Sequence, residues 1–123
     1  MYTLDTNGVL YYIGGDGGAR ALIDQALGSN APLYVPTIVW VELFRYQKLS
    51  AEEEKGIRNF LSLCSVIGLD ALIADSAGSI GRAYNLKLAD SVIAATALYT
   101  GSTLLTRNIR DFRRVPSLAV RAI

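Results

Sequence analysis

The segment NLKLADSVIAATALYTGSTLLTRNIRDF, Asn85–Phe112, decides the fold. Asp90 stands at the mouth of an apolar helix that the pattern carries to about Tyr99. Gly101 stops that helix, Thr103–Thr106 reads as a buried strand, and Asn108 and Asp111 follow just beyond its end. A carboxylate at a helix N-terminus is favoured by the helix dipole and by capping geometry. Polar groups just past the C-terminal end of a parallel strand are where open α/β sheets place their sites.

The chain before this segment repeats the pattern. A strand to about Leu4 ends at Asp5, and a short helix or turn follows. Gly14–Gly18 reads as a flexible loop, without the Lys-Ser/Thr that a phosphate-cradling loop needs. Ala19 to Leu27 is a helix closed by Gly28, and Leu33–Val35 is a second strand ended by Pro36. Thr37 is expected to cap a helix to about Gln47 that carries Glu42. Ser50-Ala51-Glu52-Glu53 is a capping box opening a helix to about Leu63. Ser65 to Leu69 should be a third strand, Ala71 to Tyr84 a helix, and Leu118 to Val120 a last short strand. Strands alternating with helices indicate an α/β fold with a mainly parallel sheet. Right-handed crossovers then gather the strand C-terminal ends on one edge, where Asp5, Asn108 and Asp111 lie and which Asp90 and Glu42 can reach.

Composition narrows the chemistry. The 123 residues suit one domain, 1–123, and with 51% hydrophobic and 19% charged residues a folded core is expected. No apolar run reaches the roughly eighteen residues of a membrane span. The start, Met1-Tyr-Thr-Leu-Asp5, has no basic leader, and the single cysteine, Cys64, suits a reducing compartment, so a cytoplasmic protein is expected. Histidine is absent, which removes Ser-His-Asp hydrolases, Cys-His proteases, HExxH zinc sites and histidine-pair ribonucleases. Hydrolytic chemistry would fall to carboxylates, the ligand set of Mg²⁺ or Mn²⁺.

Of eleven acidic residues, Asp5, Glu42, Asp90 and, less clearly, Asp111 sit among apolar neighbours. An ionised carboxylate in such a setting is costly unless paired or metal-bound. Taken singly, a capping role explains Asp90 and a turn role explains Asp5. Together the acids need a cation, and Lys87 is the only basic residue within three positions of Asp5 or Asp90. A bound divalent ion is the cheaper explanation.

The same residues carry a family resemblance. LDTN at Leu4–Asn7, VEL at Val41–Leu43, LADSVIAATAL at Leu88–Leu98 and TRNIRDF at Thr106–Phe112 resemble, in order and spacing, the motifs of PIN-domain ribonucleases. The nearest likeness is to the VapC-like toxins of type II toxin–antitoxin systems. The resemblance implies a three-layer α/β/α domain and a Mg²⁺-dependent endoribonuclease, with Mn²⁺ as a substitute ion. It implies Asp5, Glu42 and Asp90 as the acidic core, with Asp5 and Asp90 the principal ligands and Glu42 and Asp111 available to a second ion. Some members carry the fourth acid where Asn108 stands and others where Asp111 stands; here Asp111 takes it. Thr6, resembling the hydroxyl that supports the first aspartate, joins Asn7, Thr106 and Asn108 as supporting residues. Gly8 replaces the usual branched aliphatic and should loosen the turn after Asp5.

An activated water attacking phosphorus in line would leave a 5′-phosphate and a 3′-hydroxyl. Arg107, Arg110, Arg113 and Arg114 cluster beside the site and are expected to steer the RNA backbone. A VapB-like antitoxin is the expected partner, laid in a groove beside Trp40, Val41 and Phe44. A homodimer is expected too, because Tyr11, Tyr12, Trp40, Phe44 and Tyr46 exceed what one small core readily hides. Two other readings compete. Asp5–Leu10 echoes the DxDGxL of haloacid-dehalogenase-like phosphatases, but Asn7 stands where their second acid is needed. A catalytically idle module would use the acids only to dock a partner's arginine.

Overall fold

Every strand of the sheet is parallel to its neighbours. The strands are β1 (Tyr2–Leu4), β2 (Leu33–Pro36), β3 (Ser65–Ile67), β4 (Thr103–Thr106) and β5 (Val120–Ala122), in the spatial order β3-β2-β1-β4-β5. The computed structural model describes the whole chain, Met1–Ile123. Parallel pairing demands crossovers, and seven helices supply or flank them. They are α1 (Thr6–Ile13), α2 (Gly17–Gly28), α3 (Thr37–Phe44), α4 (Ala51–Leu61), α5 (Ala71–Tyr84), α6 (Leu88–Thr100) and α7 (Ile109–Phe112). The result is a three-layer α/β/α arrangement. Strand order reverses at β1, with β2 on one side and β4 on the other, and such a switch point opens a crevice at the strand C-terminal ends.

The helix of the opening segment is the centre of the core. Ser91 to Ala97 are buried without interruption, because α6 packs on β1, β2, α3 and α5 at once. A helix apolar on all sides is stable only when so enclosed. Its polar members are satisfied internally: Thr96 donates to the Val92 carbonyl at 2.8 Å and Ser91 to that of Lys87 at 2.8 Å. The close approach of α5 to α6 explains a glycine that the helix pattern only tolerated. A Cβ at Gly81 would come within 2.7 Å of the Ser91 hydroxyl. Gly101 ends α6 in the left-handed region at φ 63°.

Several boundaries moved for local reasons. The glycine run is a loop only through Asp16, whose carboxylate accepts the Ala19 amide at 3.0 Å and starts α2 at Gly17. Asn30, at φ 57°, makes the left-handed turn after that helix, the job expected of Gly28. Thr37 does not cap α3; its hydroxyl accepts the Leu69 amide at 3.1 Å and ties α3 to the chain after β3. That helix ends at Phe44, three residues before Gln47. The capping box is present, with reciprocal bonds between Ser50 and Glu53 of 3.0 and 3.1 Å. The last strand lies at Val120–Ala122, two residues beyond its expected start, and α7 was not anticipated. Cys64 is a half-buried apolar contact, and burial pushes its thiol up to about 12. No helix is long and apolar enough to cross a membrane.

Candidate functional site

Pairing register builds the site. In the β1–β4 pair Leu4 lies beside Leu105, so the next residues, Asp5 and Thr106, meet at the strand ends. The Thr106 hydroxyl donates to Asp5 Oδ2 at 2.5 Å and itself accepts the Asn108 amide at 2.9 Å. The Gly8 amide donates to Asp5 Oδ1 at 2.7 Å, so Asp5 caps α1. A Cβ on Gly8 would lie 3.0 Å from that same oxygen. Glycine thus tightens this turn by letting the amide close in, contrary to the expected loosening. Asp5 retains only 7% exposure, and burial pushes its carboxyl above the usual carboxylate range. The Thr106 and Gly8 bonds pull the other way, while the charge of Glu42 adds to the rise.

Glu42 arrives from α3. Thr6 donates to its Oε1 at 2.6 Å, which moves Thr6 from its expected place beside Asp5 to a role in fixing Glu42. The reason is geometric: both Asp5 oxygens already have donors, and Thr6, in the first turn of α1, reaches across to the neighbouring helix. Asn7 is exposed and makes no side-chain hydrogen bond, so it does not support the acids directly.

Asp90, in the first turn of α6, is the least restrained acid. No side chain caps α6, no donor holds the Asp90 carboxylate, and none of the chain's ion pairs includes it. Burial raises its pKa first, then the charges of Asp111, Asp5 and Glu42, with Lys87 opposing them. The four acids therefore lie within charge range of one neighbourhood at the strand ends. Asp111 enters it already partnered: Asn108 Nδ2 donates to one oxygen at 3.1 Å and Arg114 Nη2 lies 3.2 Å from the other.

The donor set suits a hard cation. It holds only carboxylate, hydroxyl and amide oxygen, with no histidine in the chain and the one thiol at the end of α4. No three acidic side chains converge closely enough to cage an ion. Mg²⁺ does not ask for a cage; it keeps several waters and binds through one or two carboxylates. Asp5 and Asp90, buried or half-buried with excess negative charge, fit that role.

The four arginines divide. Arg107 is committed to the fold: its guanidinium lies 2.6 Å from Asp16, 3.9 Å over the Tyr11 ring, and its Nε donates to the Ile123 carbonyl at 3.2 Å. This corrects its expected place among cations free to steer a strand. Arg114 bridges Asp111 and the Asn85 carbonyl at 3.0 Å. Arg110 and Arg113 are exposed and unpaired. Lys87, which the sequence already placed three residues upstream of Asp90, is the cation whose charge opposes the rise of the Asp90 pKa.

On the face of the expected groove Trp40 and Phe44 pack against each other at 5.8 Å, Arg58 stacks 4.5 Å over Phe44, and Val41 stays exposed. An apolar pocket beside Glu42, about 290 Å³, is lined by Leu10, Ile13, Leu43, Tyr46, Leu49 and Ile57.

Removing the Thr106 hydroxyl tests how the site is held. Thr106→Val would leave Asp5 Oδ2 and the Asn108 amide without a partner, at a cost of about 2 kcal/mol, while Thr106→Ser should restore most of it. Urea melts in EDTA read this directly; a Val variant as stable as the wild type would contradict it.

The sequence matches the PIN domain family over residues 2–118. It is similar to Ribonuclease VapC2 of Rickettsia felis, 27% identical over 126 residues that cover 96% of this chain and 94% of that protein. A toxin–antitoxin complex from Klebsiella pneumoniae has a chain 30% identical, covering 97% of this chain and 96% of its own, with a TM-score of 0.79. VapBC2 from Rickettsia felis, solved with a promoter DNA fragment, gives a TM-score of 0.84 at 24% identity over 99% and 98% of the two chains. With the family match spanning nearly the whole chain, this protein belongs to the PIN-domain family.

Proposed function

We propose that this chain is an endoribonuclease, the toxin of a type II toxin–antitoxin pair, hydrolysing RNA phosphodiesters with the help of Mg²⁺ or Mn²⁺. One observation carries the reading: Asp90, half-buried and with no donor of its own, feels the charges of Asp111, Asp5 and Glu42, which Lys87 opposes and of which Asp111 alone is paired, to Arg114. Its relatives' names point the same way.

Asp5 and Asp90 would hold the ion, with Glu42 and Asp111 beside it. When bound, the cation supplies countercharge and Lewis acidity toward a phosphate oxygen and toward water. The remaining work belongs to the protein. The Gly8 amide and Thr106 hydroxyl aim Asp5 and, against the effect of burial, favour its charged form. Thr6 occupies one oxygen of Glu42 and leaves the other to orient the attacking water and accept its proton. Water oxygen then bonds to phosphorus as the bond to the 3′-oxygen breaks, giving a 5′-phosphate and a 3′-hydroxyl.

Two partners complete the proposal. The pocket between α1, α3 and α4, apolar with Glu42 and Glu53 among its lining, suits an antitoxin segment bearing an apolar anchor and an arginine. A second copy would cover the α5–α6 face, where Leu72 and Leu88 stand 64% and 80% exposed. Of the aromatics expected to drive dimerisation, Tyr11, Tyr12, Trp40 and Phe44 are partly buried against the monomer core and Tyr46 stays exposed.

Asp90→Asn should abolish cleavage of a labelled RNA and raise the melting temperature in EDTA. It removes one of several repelling charges, worth about 1 kcal/mol, and keeps the volume. Millimolar Mg²⁺ should stabilise the wild type and not the variant; a variant that still cuts would overturn the assignment. Tyr46→Ala should weaken a cognate antitoxin peptide while Trp40→Ala leaves it unchanged, and the reverse order would return the groove to α3's other face. Light scattering at micromolar concentration should give a dimer that Leu88→Glu splits into monomers; a monomeric wild type would refute the second-copy interface.

A further inference from the structure

We infer that the cleft between the α5–α6 turn and α7 is a subsite for a backbone phosphate flanking the one that is cut, and that Lys87 and Arg110 hold it. The inference rests on the ribonuclease reading and names part of its RNA-binding surface. The cleft, about 490 Å³, is lined by Asn85, Leu86, Lys87, Arg110, Asp111 and Arg114. It opens on the acids, because Asp111 lies in its wall and Lys87 stands one helical turn before Asp90.

The cations in this wall are not equivalent. Arg114 is spent on Asp111 and the Asn85 carbonyl. Lys87 and Arg110 are exposed and enter none of the chain's ion pairs. Lys87 and Asp90 have the i, i+3 spacing that commonly forms a pair on a helix, yet no such pair forms. Two cations left unpaired beside a cluster of acids can meet a polyanion whose neighbouring charge is held by that cluster's cation. The free cations here, an ammonium and a guanidinium, match phosphate oxygens. A flanking phosphate gripped here would stop the strand pivoting about the scissile one.

The test is anisotropy of a fluorescein-labelled single-stranded RNA in EDTA across a salt series, with cleavage in Mg²⁺ alongside. Lys87→Ala and Arg110→Ala should each weaken binding about tenfold at low salt, equally for unrelated sequences. Each should flatten the plot of log affinity against log salt by about 0.7. In cleavage Arg110→Ala should raise the half-saturating RNA concentration and leave the saturated rate within about twofold of wild type. Lys55→Ala, on the exposed side of α4, is the control. Variants that match a wild type which binds and cuts RNA would overturn the subsite alone. A wild type that neither binds nor cuts would overturn the ribonuclease reading and the subsite with it. An equal loss toward poly-glutamate would mark an unselective basic patch and also overturn it.

Discussion

The constraint on which the rest depends is the burial of one carboxylate. Asp5 lies almost out of water at the end of a central strand, where an unsatisfied charge would be prohibitive. Three elements meet to make it tolerable. Strand β1 places it, the first turn of α1 offers the Gly8 amide, and β4 brings the Thr106 hydroxyl. Each bond depends on a different level of structure: helix capping, close approach at a glycine, and strand register. Because Thr106 also accepts the Asn108 amide, the chain turning out of β4 is pinned to the same group.

That arrangement leaves a graded set of acids. Asp5 is fully held, Glu42 is held on one side, Asp111 is half neutralised and Asp90 is free. In the proposed reading Asp5 would be a rigid ligand, Glu42 an orienting base and Asp90 an unrestrained ligand to a hydrated ion. The site is thus electrostatically strained in one direction only, toward accepting positive charge. Stability is the counterpart: like charges kept together cost folding free energy, a common property of functional sites.

Charge is sorted around this space as well. Arg107, close in sequence to Asp111, is turned away to Asp16 and Tyr11, where it fastens the end of β4 to the start of α2. Arg114 tempers Asp111. Two cations near the acids that enter no ion pair, Lys87 and Arg110, line one cleft together with Asp111. Apolar surface is sorted in the same way, with the aromatic residues of α1 and α3 largely turned to the core and leucines of α5 and α6 left outside.

Local chemistry was legible in the amino-acid order. The capping box at Ser50, the α5 span Ala71–Tyr84, the stop at Gly101 and the strand Thr103–Thr106 follow from propensities acting within a few residues. So did the acids, since a carboxylate among apolar neighbours is conspicuous and the absence of histidine leaves little else for hydrolysis. Tertiary structure alone decided the partners. Thr6 binds Glu42, 36 positions away, Thr106 binds Asp5, 101 positions away, and Thr37 caps nothing because Leu69 claims its hydroxyl. Such pairings depend on strand order and register, which bring distant residues within hydrogen-bond reach only after the sheet has formed. The same holds for which arginine stays free and which face stays apolar, because exposure is a property of the packed layers and not of any one segment.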